Sequence, residues 1–257
     1  YTNIINLYRN NGKLYEIVPF YSLCCMIGYA DVLPDADHWS FDDFINFNSK
    51  YDIGVTQYDI YDCLSGILFN SIEDNEVKIS RNDFAEIIQS ISDGYRGNDY
   101  EAEKVWCSEI NKFGYSWAEK PDKSISYPSK FGKGIIVKPE LGFSVINSSE
   151  HKNECWEFIK IFLEDKYQLD EEAFSMALPL NRKSCNSILS NNLINEEQYD
   201  NCIRMIENAD SKNICEFNKT GIIISESVSK ITDSQESPDE IADELINKIN
   251  LFLKERE

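Results

Sequence analysis

The chain has 257 residues, 42% of them hydrophobic and 12% aromatic, enough to bury the core of one large domain or two smaller ones. Its 45 acidic residues outnumber 25 basic ones and give a formal charge of -20, which disfavours binding to nucleic acids and anionic lipids. No apolar run reaches the roughly 18 residues of a membrane span.

The acidic surplus has two interpretations. It describes either a solvated acidic surface, which we favour, or a site for a cationic ligand. The eight cysteines form no C-x-x-C pair, and His38 and His151 are far apart, so we predict no zinc or dithiol redox site. No phosphate-binding glycine loop or nucleophile motif is present either, and we predict no cofactor and no enzymatic activity.

The first half of the chain alternates predicted strands and helices. Residues 14–19 indicate a strand that follows an Asn11-Gly12 turn and stops at Pro19, and 24–29 form another apolar run. Ser40 and Asp43 have the spacing of a capping pair at a helix start. The further predictions are a strand at 51–55 and helices at 61–69 and 83–91.

The segment 94–133 is irregular and rich in aromatic residues, among them Trp106, Trp117 and Tyr127. Such a segment is either a packed irregular layer or a ligand-binding surface, because exposed aromatic side chains on loops need a reason.

The second half begins with strand-like runs at 134–137 and 141–146. A helix then opens at 148–150, and its apolar positions predict a buried face: Cys155, Trp156, Ile159, Phe162 and Leu163.

The remainder of the chain is predicted to be mostly helical. In the last helix Ser237 is the N-cap, Pro238 the first residue and Glu240 the capping-box acid. Its apolar stripe packs on the host domain or forms a coiled-coil seam, and the short length favours the first.

Three segments, in the right order, resemble the family 1 extracellular solute-binding proteins. The first is 11–19 (NGKLYEIVP) with 29–31 (YAD) and 39–44 (WSFDDF). The second runs from 132 to 163 and continues into Tyr167-Gln168 and the LPLN of 178–181, and the third is the C-terminal helix, 240–255. Each motif alone is weak, and their specificity comes from their order over nearly the whole chain.

The resemblance implies an α/β fold of the two-lobed, type II periplasmic-binding-protein kind with a hinged cleft and a helix-rich C-terminus. It implies that 1–22 and 134–175 belong to the N-terminal lobe, and that 23–133 and 176–257 form the C-terminal lobe. Family members carry roughly a hundred residues before the first motif, so we expect a chain truncated at its N-terminus, with one lobe incomplete. The start at Tyr1 without Met also indicates a fragment or a processed form.

The resemblance also implies a function: capture of a small ligand, a mono- or oligosaccharide, in the interlobe cleft for an ABC importer. Implied partners are the saccharide and the permease subunits, with the protein a monomer, outside the cell, lipid-anchored to the outer face of the membrane by an anchor that this chain lacks. Matching positions imply that the ligand contacts Phe20, Tyr21, Ser22, Gln57, Tyr58, Asp59 and, more weakly, Glu226.

The aromatic candidates for the same site are Trp106, Trp117 and Tyr127. For each group there is a local alternative: Tyr21 packs at the hinge, Gln57 and Asp59 cap the helix near Tyr61, and the tryptophans are core. Two other functions stay open, a glycan-binding or sensing protein on the same fold without a transporter, and a saccharide-active enzyme. Adjacent permease genes would favour the importer, and sustained turnover of oligosaccharides would favour the enzyme.

Overall fold

The computed structural model describes residues 1–51, 56–74, 76–95, 97, 105–111, 114–115, 123–130, 134–169, 177–192, 196–212, 219–233 and 236–255. The helices are α1 (Thr2–Leu7), α2 (Phe41–Tyr51), α3 (Gln57–Asn70), α4 (Arg81–Gly94), α5 (Lys152–Ile161), α6 (Asp165–Gln168), α7 (Arg182–Asn192), α8 (Glu196–Glu207), α9 (Lys219–Thr232) and α10 (Pro238–Lys254). The strands are β1 (Arg9–Asn10), β2 (Lys13–Leu14), β3 (Ile17–Gly28), β4 (Ile72–Glu73), β5 (Glu76–Val77), β6 (Val105–Asn111), β7 (Gly114–Tyr115), β8 (Lys123–Ile125), β9 (Ile136–Phe143), β10 (Leu178–Pro179) and β11 (Ser211–Lys212). This is the predicted mixed α/β architecture, and none of the described helices is long and apolar enough to cross a bilayer.

The chain divides into two compact units. Unit 1 comprises Tyr1–Cys24, Glu109–Asp122 and Ile135–Asn213, and unit 2 comprises Cys25–Ser108, Lys123–Gly134 and Ile214–Glu257. This division differs from the predicted one at 109–122 and 176–213, which lie in unit 1. A cause is visible in β10, which pairs antiparallel with β3 at Phe20 and Tyr21, so that the start of 176–213 is hydrogen-bonded to unit 1.

Unit 1 is built on the first part of β3. β9 pairs antiparallel with it, β11 lies parallel to β9, and β6 lies on the other side of β3. The register of β3 against β9 shifts between Phe20 and Tyr21, next to Pro19 and opposite Pro139. Because proline has no N–H to give to a ladder, it is tolerated at such a bulge.

Two strand predictions need correction at these prolines. β3 does not stop at Pro19 but continues to Gly28, and the two predicted runs at 134–146 are mainly one strand, β9. The carbonyl of Pro19 instead accepts a hydrogen bond from the amide of Leu180 at 2.8 Å. The Asn11-Gly12 turn is confirmed, since both residues have positive φ (49° and 74°) and join β1 to β2.

The helix α5 exists as predicted, but the prediction of a buried face is wrong. Of the five expected core positions only Ile159 is buried, and Trp156 is 43% exposed. The described aromatic rings nearby pack on one another: Phe162 contacts Phe158 edge to face, and it contacts Phe143 and Tyr167 with tilted rings. Cys155, Phe162 and Leu163 are half-buried, so the predicted face is only partly covered by the described residues.

Unit 2 is a helical layer around a hydrophobic core. α10 packs on α4 and α9, α2 packs on α4, and α3 packs on α9. The fully buried side chains at these contacts include Phe44, Ile60, Leu64, Phe84, Ile87, Leu245 and Ile249. The α10 stripe therefore packs on its own unit, as we favoured, rather than forming a coiled-coil seam.

Two of the predicted helix starts of unit 2, those of α2 and α10, are confirmed, whereas α3 and α4 begin at Gln57 and Arg81, before the predicted residues 61 and 83. At α10, Ser237 is the N-cap directly before Pro238 and forms a reciprocal capping box with Glu240. Ser40 and Asp43 exchange the same contacts at α2. The predicted strand at 51–55 is not confirmed, because Tyr51 is the last residue of α2 and 52–55 lie outside the described residues. The last part of β3 pairs with β8 in this unit.

Candidate functional site

A cluster of polar side chains lies on the β3–β9 face of unit 1. It consists of Ser22, Glu109, Lys138 and Glu140, and we call it the polar cluster. Ser22 on β3 is the direct cross-strand partner of Lys138 on β9. Lys138 and Glu140 are two residues apart, so their side chains emerge on one face of the strand, while Glu109 comes from β6 on the other side of β3.

Hydrogen bonds connect all four members. The Ser22 hydroxyl lies 2.8 Å from Glu140 Oε1 and 3.1 Å from Glu109 Oε2. Lys138 Nζ lies 2.6 Å from Glu109 Oε1 and 3.4 Å from Glu140 Oε1. A hydroxyl has a single hydrogen, so Ser22 donates to Glu109 or to Glu140 but not to both at once.

The electrostatics of the polar cluster favour hydroxyl-rich or cationic ligands. Burial works against the charge of Lys138, but the hydrogen bond that Lys138 donates to Glu109 and the charges of both glutamates outweigh it and raise the pKa of Lys138. One cation and two carboxylates leave a formal charge of -1. The Lys138, Glu109 and Glu140 side chains are 25%, 34% and 31% exposed, so a ligand in solvent reaches them.

An aromatic pair lies in unit 2. Trp106 on β6 contacts Tyr29, the residue after β3, in an edge-to-face arrangement with ring centroids 5.6 Å apart. Both residues are only partly buried. Partly exposed aromatic faces stack on the C–H surface of sugars, so this pair is compatible with the ligand-surface alternative for Trp106, which stays a prediction.

The N-terminus of α3 holds three of the predicted residues. Asp59 caps the helix: its carboxylate accepts the amide of Thr56, and the Thr56 hydroxyl accepts the amide of Asp59. Its other oxygen accepts the amide of Cys107 at 3.4 Å, which places α3 beside β6 and the Trp106–Cys107 segment. Gln57 donates to Thr232 at 3.2 Å, and Tyr58 is 78% exposed.

The capping alternative thus describes Asp59, at a helix that begins at Gln57 rather than near Tyr61. Tyr58 has the surface that a ligand contact needs, and it stays a prediction.

The other predicted residues are placed as follows. Phe20 and Tyr21 are buried in unit 1, with the Cys185 thiol against the Tyr21 hydroxyl, and burial raises the pKa of Tyr21. Tyr127 is 3% exposed in unit 2, and its ring packs over Gly66. For Tyr21 and Tyr127 the packing alternative fits the structure, and Phe20 is likewise a core residue. Glu226 is exposed on α9 and pairs with Lys248 at 2.9 Å, and Trp117 lies outside the described residues.

Sequence reasoning missed Tyr29, Glu109, Lys138 and Glu140. A signal was available for two of them, because Lys138 and Glu140 alternate with apolar residues in an otherwise hydrophobic strand. Glu109 becomes recognisable only when β6 is placed beside β3. Within the described residues, no group of three or more His, Cys, Asp or Glu has the arrangement of a metal site.

No family model matches the sequence, and no curated protein matches it. Solved structures do match the fold over nearly the whole chain. An oligogalacturonide binding protein from Yersinia enterocolitica superposes with a TM-score of 0.66 at 13% identity, covering 99% of this chain and 76% of its own.

Two further solved structures agree. The sugar-binding protein MalE from Xanthomonas citri has a TM-score of 0.62 at 12% identity, with 99% and 74% of the two chains covered. An extracellular solute-binding protein family 1 member from Alicyclobacillus acidocaldarius has 0.61 at 9%, with 98% and 75% covered. The chain therefore spans about three quarters of the length of these proteins, and it has the α/β fold of the extracellular solute-binding proteins.

Proposed function

We propose that the chain is the solute-binding component of an ABC importer and that its ligand is a mono- or oligosaccharide. The observation that carries the proposal is the fold, whose neighbours include proteins for oligogalacturonide, cyclic maltosyl-maltose and tagatose. Because this chain spans only part of the length of those proteins, the ligand and the partnership with a transporter are both proposed for the whole protein.

The described side chains support a saccharide. The polar cluster offers carboxylate oxygens that accept hydrogen bonds from sugar hydroxyls and a lysine that donates to them. The Tyr29–Trp106 pair and exposed Tyr58 offer aromatic surface for sugar rings. A formal charge of -1 in the polar cluster favours neutral sugars over uronates.

The same proposal includes the partners of the protein and its location. It works outside the cell, lipid-anchored to the outer face of the membrane, as a monomer that delivers its ligand to two permease subunits. It binds and releases the ligand without chemical change.

A thermal-shift screen of this chain against sugars, polyols and amino acids tests the proposal. A ligand that binds only the native state raises the melting temperature, by an amount that grows with the ratio of its concentration to Kd. We expect a neutral saccharide to produce the largest rise. A rise with amino acids alone would replace the saccharide with another ligand class, and no rise with any compound would contradict the proposal.

Substitution of Tyr58 or Trp117 by Ala tests the aromatic contacts. Each is expected to weaken saccharide binding tenfold or more, about 1.4 kcal/mol. Because Tyr58 is 78% exposed, Tyr58→Ala leaves the melting temperature of the free chain unchanged, which separates lost contact from lost fold. Calorimetry with unchanged affinity for both variants would refute these two assignments.

A further inference from the structure

Two cysteines of unit 2, far apart in sequence, are neighbours in the structure. Cys63 lies on α3 one turn after Asp59, and Cys107 lies on β6. The amide of Cys107 donates to Asp59 Oδ1 at 3.4 Å, so its backbone is fixed beside the first turns of α3. The Cys63 and Cys107 thiols are in hydrogen-bond contact with each other, and both are free thiols here.

The surroundings of this pair restrict its chemistry in the folded state. Cys63 is 3% exposed, and Cys107 is partly buried. The thiol of Cys63, burial and the charges of Asp59 and Asp62 raise the pKa of the Cys107 thiol. Since the thiolate is the species that attacks a disulfide, exchange is slow once α3 and β6 have packed and is faster while the chain folds.

We propose that Cys63 and Cys107 form a disulfide bond that joins α3 to β6 when the chain folds in an oxidising compartment. One thiolate attacks a low-molecular-weight disulfide such as oxidised glutathione, forming a mixed disulfide and releasing one thiolate. The second cysteine thiolate then attacks its partner's sulfur, forms the protein disulfide and releases the other glutathione thiolate. Both leaving thiolates take up a proton, so two protein thiols are oxidised and one disulfide is reduced.

The disulfide bond would constrain β6, the strand that carries Trp106. It would close a loop of about 45 residues, and closing a loop of this size lowers the entropy of the unfolded chain. It would also fix the start of β6, next to the Tyr29–Trp106 pair. The inference needs the extracellular setting of the proposed function but not its ligand, so it is tested without any saccharide.

Peptide mapping gives an unambiguous test. Tryptic cleavage after Lys50, Lys78, Lys104 and Lys112 yields peptides 51–78 and 105–112, each with a single cysteine. The chain is refolded in a glutathione buffer, its remaining thiols are alkylated, and the digest is analysed by mass spectrometry without reduction. We expect the two peptides to be found joined, about 2 Da lighter than the sum of the free peptides.

Variants and a stability measurement complete the test. Cys63→Ala and Cys107→Ser must each abolish the joined peptide, whereas Cys202→Ser, a buried cysteine of α8, must retain it. Dithiothreitol is expected to lower the melting temperature of the oxidised chain by roughly 5–15 °C. It is expected to leave the melting temperature of Cys107→Ser unchanged. Recovery of both peptides singly alkylated, from a chain that is folded by circular dichroism, would overturn the proposal.

Discussion

Replacing Lys138 by Met removes the only cation of the polar cluster and leaves the carboxylates of Glu109 and Glu140 side by side. The lysine is 25% exposed and Glu109 34%, so their pair lies between an exposed ion pair, worth at most about 1 kcal/mol, and a buried one, whose disruption costs about 3–5 kcal/mol. We therefore expect Lys138→Met to lower the free energy of unfolding by about 1.5 kcal/mol.

The assay is a double-mutant cycle measured by urea unfolding, with Lys138→Met, Glu109→Gln and the double variant. The contact of 2.6 Å between Lys138 and Glu109 predicts a coupling energy of about 1 kcal/mol. Because the folded-state pKa of Lys138 is raised, its stabilisation is complete below the unfolded pKa of about 10.5 and is lost as the pH rises through the folded value. The reasoning would be refuted if the two single substitutions changed the free energy of unfolding additively. It would also be refuted if the destabilisation caused by Lys138→Met disappeared between pH 6 and 9.

Three further predictions concern packing. Ile159→Ala on α5 is expected to cost about 2–4 kcal/mol because its side chain is buried, whereas Phe158→Ala, 55% exposed, costs below about 1 kcal/mol, as urea unfolding of the two variants measures. Gly66→Ala places a Cβ 2.5 Å from the ring of Tyr127 and is expected to cost about 1–3 kcal/mol, with a changed near-ultraviolet signal; an unaltered melting temperature would contradict this packing. The unchanged melting temperature expected for Tyr58→Ala is checked in the same series.

Local sequence signals predicted the fold best at helix ends, because these are set by residues close together in the sequence. The start of α10 was predicted from Ser237, Pro238 and Glu240. Its apolar stripe is buried in the core of unit 2, as expected for a helix with one apolar face. The family resemblance supplied the architecture, which the superpositions confirm at the level of fold.

Contacts between distant segments were out of reach. The face of α5 has helical periodicity, yet periodicity says only that a face is apolar, and Trp156 is exposed because no described residue packs over it. The polar cluster depends on β6 lying beside β3, a pairing between residues nearly ninety positions apart. The bulge at Pro19 and Pro139 likewise depends on which strands meet, so the sequence alone suggested strand ends there.

Isothermal titration of this chain with the saccharide that most raises its melting temperature tests the central claim most directly. We predict saturable heat that fits one site per chain and affinity that falls at least tenfold in Tyr58→Ala, with neutral sugars bound more tightly than uronates. Heat that does not saturate for any saccharide, from a chain that is folded by circular dichroism, would contradict the assignment of this chain as a saccharide-binding protein.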